Sequence, residues 1–273
     1  MSGLLLAIDG DSLAHRAYHA LPKSIRLNAL VGFANFLQRL YDAEQPEAVL
    51  VAWDSLETPT YRHQALPAYQ SGREFEQGIL DQLAVLPELV ESFGFVAAKA
   101  GGYEADDFLA AAAAAWTGPV SVVTSDRDAY QLVTDRVTVL APRTGGYAPD
   151  RIGPAEVMER YGVRPGQVPD FIALRGDPSD NLPGARGIGA KGAAELLGRY
   201  PDLEAIVAHA GELRPRQAEA VRDPRLAAFK RIARMDADAP ARPPADAGLN
   251  VAGAISFAER IGAERLADRL RRA

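Results

Sequence analysis

The sequence predicts an α/β fold, in which a mostly parallel central sheet is flanked by helices and followed by a helical C-terminal subdomain. Short, continuous apolar runs such as residues 4–8 and 120–124 are typical of strands buried on both faces. Between them lie stretches such as residues 29–41, where apolar residues recur with the spacing of one helical face. Strands that alternate with helices favour a parallel sheet covered on both sides.

The predicted elements divide the chain into two units. Strands are expected at residues 4–8, 48–53, 95–98, 120–124 and 137–140, and helices at residues 29–41, 79–93 and 110–115, with another beginning at residue 129. Residues 55–78 lack an apolar period and contain prolines and glycines, which predicts an exposed loop or a partly helical excursion. Strand signals stop at residue 150, and helices are expected at 153–161, 168–174, 193–199, 203–209, 223–234 and 255–271. A sheet-containing unit, 1–150, thus precedes a helical unit, 151–273.

Composition excludes several classes of protein. A chain of 273 residues with 48% hydrophobic residues can form one large domain or two unequal ones. Its apolar runs are too short to span a membrane, and the run at residues 4–8 is too short for a signal peptide. Because the chain has no cysteine, disulfides and thiolate zinc sites are excluded, and a cytoplasmic location without membrane association is expected.

The net charge of −6 is unevenly distributed along the chain. Residues 1–183 carry 24 acidic and 14 basic side chains, whereas residues 184–273 carry 12 acidic and 16 basic ones. A group of nine carboxylates accounts for almost all of the excess, because the first 183 residues otherwise hold 15 acids against 14 bases. The acidity therefore marks one set of residues, and the C-terminal third is mildly basic.

Several of the nine carboxylates come directly after predicted strands. Asp9 follows the first strand and Asp54 the second, and Asp126 and Asp128 follow the strand at residues 120–124. Because ligands of open α/β sheets bind outside the carboxyl ends of the strands, these side chains are expected to share one crevice. The remaining members are Glu104, Asp106 and Asp107 at a helix start, and Asp177 and Asp180 in the helical unit.

The sequence shows no obvious basic side chains that would balance the charge of these nine carboxylates. The set therefore favours a metal site. Oxygen donors without Cys or His suit Mg²⁺ or Mn²⁺ better than zinc. Two such ions about 4 Å apart can stabilise the attacking and leaving oxygens of a phosphodiester. Each acid alone has an ordinary interpretation, since Asp128 could cap a helix and Asp180 could belong to a turn. Their joint placement indicates a two-metal centre.

Motifs throughout the chain resemble the 5′-nuclease domain of bacterial DNA polymerase I and the wider flap endonuclease family. They lie at residues 8–10, 52–54, 102–107, 124–132, 176–184 and 186–191, in the family's order and close to its spacing. Residues 236–273 match only weakly. The resemblance implies a PIN-like 5′-nuclease core and a metal-dependent nuclease that cuts 5′ flaps near duplex junctions and removes nucleotides from 5′ ends.

The resemblance also implies a role for each acid. Two groups of ligands would hold two or three ions, and the presence of all nine acids argues against an inactive relative. Asp9, Asp54, Glu104 and Asp106 would centre on one metal, Asp126, Asp128 and Asp180 on the other, and Asp107 and Asp177 would support them.

Residues 182–192 resemble the family's helix-turn-helix (helix-hairpin-helix) DNA-binding hairpin. Gly187 and Gly189 permit close backbone approach to phosphates, and Lys191 at a helix start adds cationic attraction. The family's hairpin also holds K⁺ through backbone carbonyls, which implies a K⁺ site here. An ordinary helix–helix turn is the alternative.

Residues 55–78 occupy the position of the family's arch, under which the free 5′ strand passes. Tyr69 and Arg73 fit the arch pattern for base stacking and phosphate contact. The chain departs from the family at Gln70, where a lysine is usual and would stabilise charge at the scissile phosphate. Arg62, Arg73, Arg16 or Lys23 could compensate for it. His15, His19, His63 and His209 lack metal-ligand spacing and are expected to pack or contact solvent, with His63 the best candidate for a DNA contact.

The leading hypothesis is a structure-specific 5′ nuclease of DNA replication and repair, acting as a monomer on nucleoid DNA in the cytoplasm. It would be a stand-alone protein or a piece of a longer polymerase. One alternative is a weakly active or non-catalytic DNA-junction-binding relative, motivated by Gln70. Another is an RNase of a related metal-nuclease fold, which the glycine hairpin disfavours.

Overall fold

The central sheet is mostly parallel, as predicted. The computed structural model describes residues 3–55, 57–143, 148–242 and 248–272, so parts of the predicted arch (residue 56), sheet-containing unit (residues 144–147) and helical unit (residues 243–247) lie outside the described residues. Within these ranges the sheet has strands β1 Leu5–Asp9, β2 Ala48–Ala52, β3 Val96–Ala98, β4 Val120–Val123, β5 Val137–Ala141 and β6 Asp150–Ile152, in the order β3-β2-β1-β4-β5-β6. All neighbours pair in parallel except β6, which is antiparallel to β5.

The register of the central strands brings their carboxyl ends together. Asp9 of β1 lies opposite Ala52 of β2, and Ile8 lies opposite Val123 of β4. The residues that follow Ala52 and Val123 therefore emerge beside Asp9 at one edge of the sheet. This alignment supports the sequence prediction that acids after different strands share one crevice.

Helices cover both faces of the sheet and form the C-terminal unit. They are α1 Gly10–Ala20, α2 Asn28–Glu44, α3 Tyr61–Ala65, α4 Gln77–Leu83, α5 Leu86–Ser92, α6 Ala105–Ala115, α7 Pro154–Tyr161, α8 Val168–Arg175, α9 Ala190–Arg199, α10 Leu203–Ala208, α11 Pro215–Val221, α12 Arg225–Ala233, α13 Val251–Arg260 and α14 Glu264–Leu270. Within the described ranges, none of these helices is long and apolar enough to cross a membrane.

Two apolar cores lie on opposite faces of the sheet. Alternate residues of each strand point to opposite faces, so Leu5 and Ala7 join one core while Leu6 and Ile8 join the other. The first core contains α6 and continues into the C-terminal helices through α8 and α12. The second contains α1, α2 and α5 together with α13 and α14. The helical unit is thus packed directly against the sheet unit.

Several predicted elements differ in detail. Residues 137–140 are not the last strand, because Asp150–Ile152 adds a short antiparallel edge. Helix α1 was not predicted, although it begins immediately after β1. The predicted helices at 79–93 and 255–271 are each interrupted, giving α4 and α5 and then α13 and α14. Residues 55–78 are partly helical, as expected, through α3.

Candidate metal and nucleic-acid site

An acidic cleft of about 350 Å³ opens at the carboxyl ends of β1, β2 and β4. Seven of the predicted acids line it, and Asp11 is an eighth that the sequence analysis missed. The lining carboxylates are Asp9, Asp11, Asp54, Glu104, Asp106, Asp126, Asp128 and Asp180. Arg62, Tyr69, Gln70 and Arg73 of the arch segment also line the cleft. The structure therefore brings together acids from both units and the arch.

Asp9 is fixed by the elements on both sides of it. Its Oδ1 accepts a hydrogen bond from the backbone N–H of Ser12 at 2.9 Å, so it caps the N-terminus of α1. Its Oδ2 accepts from the hydroxyl of Thr124 at 2.7 Å, just beyond β4. The side chain is only 7% exposed and thus links β1, α1 and β4 at the floor of the cleft.

Asp54 and Asp11 hold the next part of the cleft. The Ala105 N–H, at the start of α6, donates to Asp54 Oδ1 at 2.8 Å. The Asp54 N–H in turn donates to Asp11 Oδ2 at 2.8 Å. Asp11 thereby connects the first turn of α1 to the end of β2, and it adds one more carboxylate to the cleft than the sequence predicts.

Glu104 and Asp106 present carboxylates from the start of α6. Glu104 accepts from the hydroxyls of Thr60 at 3.1 Å and Tyr69 at 3.0 Å, both in the arch segment. Asp106 Oδ1 is buried and has no hydrogen-bond partner among the described residues. A buried carboxylate oxygen without a donor is costly, so this atom indicates a place for a ligand that the protein itself does not supply.

Further acids reach the cleft from the turn after β4 and from the helical unit. Asp126 Oδ1 accepts from the Asp128 N–H at 2.8 Å, which orients the turn after β4. Asp180 Oδ1 accepts from Gln70 at 3.1 Å and from Arg73 at 3.0 Å. Asp177 lies outside the cleft lining: its Oδ1 accepts from the Ser179 N–H and its Oδ2 pairs with Arg175 at 3.0 Å. Asp177 therefore shapes the loop that carries Asp180.

Crowding of these acids in the interior favours their protonated forms. Burial, reinforced by the neighbouring Asp54 carboxylate, raises the pKa of Asp9 to about 7. Burial likewise raises the pKa of Glu104 to about 7, with Asp54 adding to the effect. The pKa of Asp106 rises well above its ordinary value because of burial and the nearby carboxylates of Asp126 and Asp9. The cleft is thus short of positive charge.

Two cations lie among the acids: Arg73 pairs with Asp180, and Arg62 is almost completely buried. Arg62 is 3% exposed and makes a bidentate pair with Asp107, at 2.8 Å to Oδ2 and 2.7 Å to Oδ1. Its Nε donates to the carbonyl of Ile232, and its Nη1 lies 3.5 Å from Glu104 Oε2. The expectation that the set has no obvious balancing cation is therefore wrong. Because its guanidinium is engaged by Asp107 and the Ile232 carbonyl, Arg62 is not free in this conformation for the predicted contact with a phosphate.

Asp107 belongs to the scaffold and not to the cleft. The side chain is fully buried, and its two oxygens also accept from the N–H groups of Glu104 at 3.0 Å and Asp236 at 2.9 Å. This differs from the predicted supporting role at the metals, because both oxygens are already engaged by Arg62 and backbone N–H groups and Asp107 does not line the cleft. Asp107 and Arg62 join the arch base, the start of α6 and the segment after α12.

The arch residues contact the acids directly. Tyr69 is 4% exposed, and its hydroxyl binds Glu104, so its ring is not available for the predicted stacking on a base in this conformation. Gln70 donates to both the Tyr69 hydroxyl and Asp180. Arg73 remains 42% exposed at its side chain, where a phosphate could reach it. Lys23 pairs with Glu76 at the surface and does not line the cleft.

The predicted hairpin lies on the surface between α8 and α9. Gly187, Gly189 and Lys191 are all exposed. Gly187 has a φ of +79°, and a Cβ atom there would meet nothing within 4 Å, so the backbone is open to a ligand. Gly189 is the N-cap of α9 and Lys191 lies in its first turn. Arg16 lies elsewhere, on α1, where it contacts the Arg143 carbonyl outside the acidic cleft.

The histidines follow the expected pattern. His15 lines the cleft and packs against Phe75, with ring centroids 4.9 Å apart. His63 binds Thr60 through Nδ1 and packs against the Tyr69 ring. Across residues 3–55, 57–143, 148–242 and 248–272, no group of three or more His, Asp or Glu side chains is arranged as a ready ligand set for one ion. The assignment of individual metal ligands stays a prediction.

The chain combines a mostly parallel sheet, an acidic cleft at its carboxyl edge and a C-terminal helical unit, and comparison with known proteins gives the family. The model of the 5′-3′ exonuclease N-terminal resolvase-like domain matches residues 4–162, and that of the 5′-3′ exonuclease C-terminal SAM fold matches residues 163–252. The chain therefore belongs to the 5′-3′ exonuclease family.

The relatives include DNA polymerases. The chain is 39% identical over 229 residues to DNA polymerase I of Mycobacterium bovis, covering 80% of this chain and 25% of that protein. It is 41% identical over 222 residues to thermostable DNA polymerase I of Thermus aquaticus, covering 78% and 26%. It thus spans about a quarter of these relatives. The fold is similar to a flap endonuclease of bacteriophage T5 in complex with DNA and metal ions, with a TM-score of 0.72 at 19% identity and 98% coverage of both chains.

Proposed function

We propose that this protein is a structure-specific 5′ nuclease that hydrolyses DNA phosphodiesters at 5′ flaps and 5′ ends with two divalent metal ions. The observation that carries the proposal is the cleft itself, where Asp106, whose Oδ1 has no partner among the described residues, lies with seven other carboxylates from both units. The T5 flap endonuclease with the similar fold was solved with DNA and metal ions, which supports the same ligands here.

The donor set fits hard divalent cations. Carboxylate oxygens without any thiolate favour Mg²⁺ or Mn²⁺. Such ions, when bound, would activate the attacking water and stabilise the leaving oxygen. We propose Asp9, Asp54, Glu104 and Asp106 around one ion, and Asp126, Asp128 and Asp180 around the other.

Residues of the chain itself supply DNA recognition. The exposed guanidinium of Arg73 beside Asp180 is suited to a backbone phosphate next to the metals. The open backbone at Gly187 and Gly189, with Lys191 in the first turn of α9, is suited to the phosphates of the duplex. A K⁺ ion bound by carbonyls of this hairpin is part of the proposal. We place the protein on nucleoid DNA as a monomer, in replication and repair.

Cleavage of a 5′-flap DNA tests the proposal. The wild type is expected to release the flap with Mg²⁺ or Mn²⁺ and to be inactive with EDTA. Asp126→Asn is expected to abolish cleavage while leaving the fold intact, because its amide oxygen can still accept from the Asp128 N–H. Asp42→Asn, on the far end of α2, is the matched control. Absence of cleavage by the wild type with every divalent ion would refute the proposal.

Gln70 gives a reason to keep a second candidate, a DNA-junction-binding protein of low activity. The neutral amide faces Asp180 where a lysine would bring positive charge. Tight binding of the flap DNA without any cleavage would support this candidate. Cleavage of single-stranded RNA in preference to the DNA flap would instead indicate an RNase.

A further inference from the structure

Asn181, an exposed side chain, binds the backbone of the arch to the loop that carries Asp180, beside the contacts that Gln70 and Arg73 make with Asp180 itself. We call residues 66–73 the arch loop and residues 176–184 the acid loop. Asn181 of the acid loop donates from Nδ2 to the Ala68 carbonyl at 2.9 Å and to the Ser71 carbonyl at 3.2 Å. It also reaches the Ser71 hydroxyl at 3.4 Å. These contacts span 110 or more residues of sequence and join the two units beside the acidic cleft.

The acid loop is shaped to hold Asn181 in this position. Asp177 and Leu182 form an isolated antiparallel bridge at its base. A Cβ atom on Gly184 would lie 2.4 Å from the Gly176 nitrogen, so the two ends of the loop cross at backbone contact distance. Asn181 has φ 58° and ψ 31°, in the left-handed region that asparagine tolerates better than most residues. The loop is thus a compact, closed turn with its amide directed at the arch.

The arch loop depends on contacts of this kind. Its own bonds are short-range turns, from Tyr69 N to Leu66 O, from Ser71 N to Ala68 O and from Arg73 N to Gln70 O. Gln70 itself has a φ of 50°, which is strained for a non-glycine residue. A series of turns containing such a residue keeps its shape only where other groups hold it, and Asn181 holds the carbonyls on both sides of Gln70.

Asp180, next to Asn181, receives the functional groups of the arch loop. Gln70 Nε2 lies 3.1 Å and Arg73 Nη2 3.0 Å from the same oxygen, Asp180 Oδ1. Arg73 is 42% exposed at its side chain, and long exposed side chains do not stay in one place without a fixed backbone. The backbone that fixes it is the one that Asn181 binds.

We infer that Asn181 is a positioning residue, which holds the arch loop against the acid loop so that Gln70 and Arg73 lie at Asp180 when the reacting phosphate arrives. The inference rests on the proposed nuclease function. Asn181 does not touch the phosphate or an ion in this role; it acts through the arch backbone. Its loss is expected to slow the chemical step and to leave binding of the duplex, which the hairpin supplies, nearly unchanged.

Asn181→Gly separates the side chain from its backbone conformation. Glycine adopts the left-handed region without steric strain, so the acid loop keeps its shape while the hydrogen bonds to the arch are lost. Ser71→Ala is the matched control, because it removes only the 3.4 Å contact and keeps both carbonyl acceptors. Single-turnover cleavage of a 5′-flap DNA is measured over a range of enzyme concentrations for each variant, together with the melting temperature.

A second measurement does not depend on cleavage. Limited trypsin digestion, read by mass spectrometry, reports how often the chain is cut after Arg73. Trypsin must bind the Arg73 side chain before it can cut the chain after this residue. The cut therefore requires Arg73 and the arch loop around it to move away from Asp180. Asn181→Gly is expected to be cut about tenfold faster at this site than the wild type and to have an unchanged melting temperature, since Asn181 is exposed.

For cleavage, we expect Asn181→Gly to lower the maximal rate about tenfold. The enzyme concentration at half-saturation should stay within about twofold of the wild type. Ser71→Ala should be close to the wild type in both quantities. An unchanged maximal rate overturns the inference, whether or not the loop is cut faster. A lower rate without faster trypsin cutting also overturns it, because the effect would not pass through the arch loop. If the wild type does not cleave flap DNA, the proposed function fails, and so does the role of Asn181 in catalysis. The rate of trypsin cutting still tests the structural claim that Asn181 holds the arch loop against the acid loop.

Discussion

The buried pair of Arg62 and Asp107 allows a quantitative test of the scaffold beneath the acids. Removing one partner leaves the other charge in the interior, a change that costs about 3–5 kcal/mol of the free energy of unfolding. For Asp107→Leu, the loss in free energy of unfolding should be near the upper end of this range. The hydrogen bond and ion-pair partners left to Arg62 would be the Ile232 carbonyl and Glu104, whose Oε2 lies 3.5 Å away. Arg62→Met should cost less, because the N–H groups of Glu104 and Asp236 still donate to the remaining carboxylate.

The double variant Arg62→Met/Asp107→Leu decides whether the two residues act as a pair. With both charges gone, the double variant should recover part of the free energy of unfolding that Asp107→Leu loses, because no unpaired charge is left in the interior. It should remain below the wild type, because the N–H groups of Glu104 and Asp236 lose their acceptor. Urea denaturation followed by the fluorescence of buried Trp53 measures all four proteins. A double variant no more stable than Asp107→Leu would refute the reasoning. So would a loss of Mg²⁺-induced stabilisation in Asp107→Asn as large as in Asp126→Asn, because Asp107 would then be a metal ligand.

Three further predictions concern the cleft. Gln70→Lys is expected to raise the single-turnover cleavage rate about tenfold at saturating Mg²⁺. One well-placed donor raises such a rate about 10²-fold or more, and the nearby Arg73 already supplies part of this effect. A lower rate would contradict this prediction. Burial raises the pKa of Asp9 and Glu104 to about 7, so the folded protein keeps protons that the unfolded chain releases near pH 4. The free energy of unfolding without metal should therefore fall from about pH 4 to 7 and level off above, and Mg²⁺ should restore it at pH 8; urea denaturation showing no such slope would argue against these pKa values. Gly10→Ala would place a Cβ atom 2.7 Å from the Trp53 ring and should cost about 1–3 kcal/mol, measured in the same way, whereas an unchanged value would show that the ring can move.

The sheet and the position of the acids could be predicted because both follow from local patterns. Apolar runs such as residues 4–8 are readable as buried strands, and a parallel sheet brings the ends of its strands together. Asp9 and Asp54 could therefore be placed from the strands they follow. The short edge strand β6 could not, since Asp150–Ile152 offers only three residues with one buried side chain.

The partners of the acids were harder to predict. Arg62 finds Asp107 across 45 residues, and no local pattern records such a contact. Asp107 did carry a local signal, because it stands three residues after Glu104 and its carboxylate binds the Glu104 N–H as in a capping box. Read in that way, it could have been separated from Asp106. Asp11 was also visible, two residues after Asp9, but its contact with the Asp54 N–H depends on how β1 and β2 pair.

The hydrogen bonds of the acids also determine which of them can be replaced to capture a complex with uncut DNA. Asp9 caps α1, Asp54 holds the first N–H of α6, and Glu104 anchors two arch hydroxyls, so truncating any of these disturbs an element as well as a charge. Asp106 is different, since its Oδ1 has no bond among the described residues that could be broken. Asp106→Asn should therefore be the least disruptive inactive form for crystallisation with an intact flap.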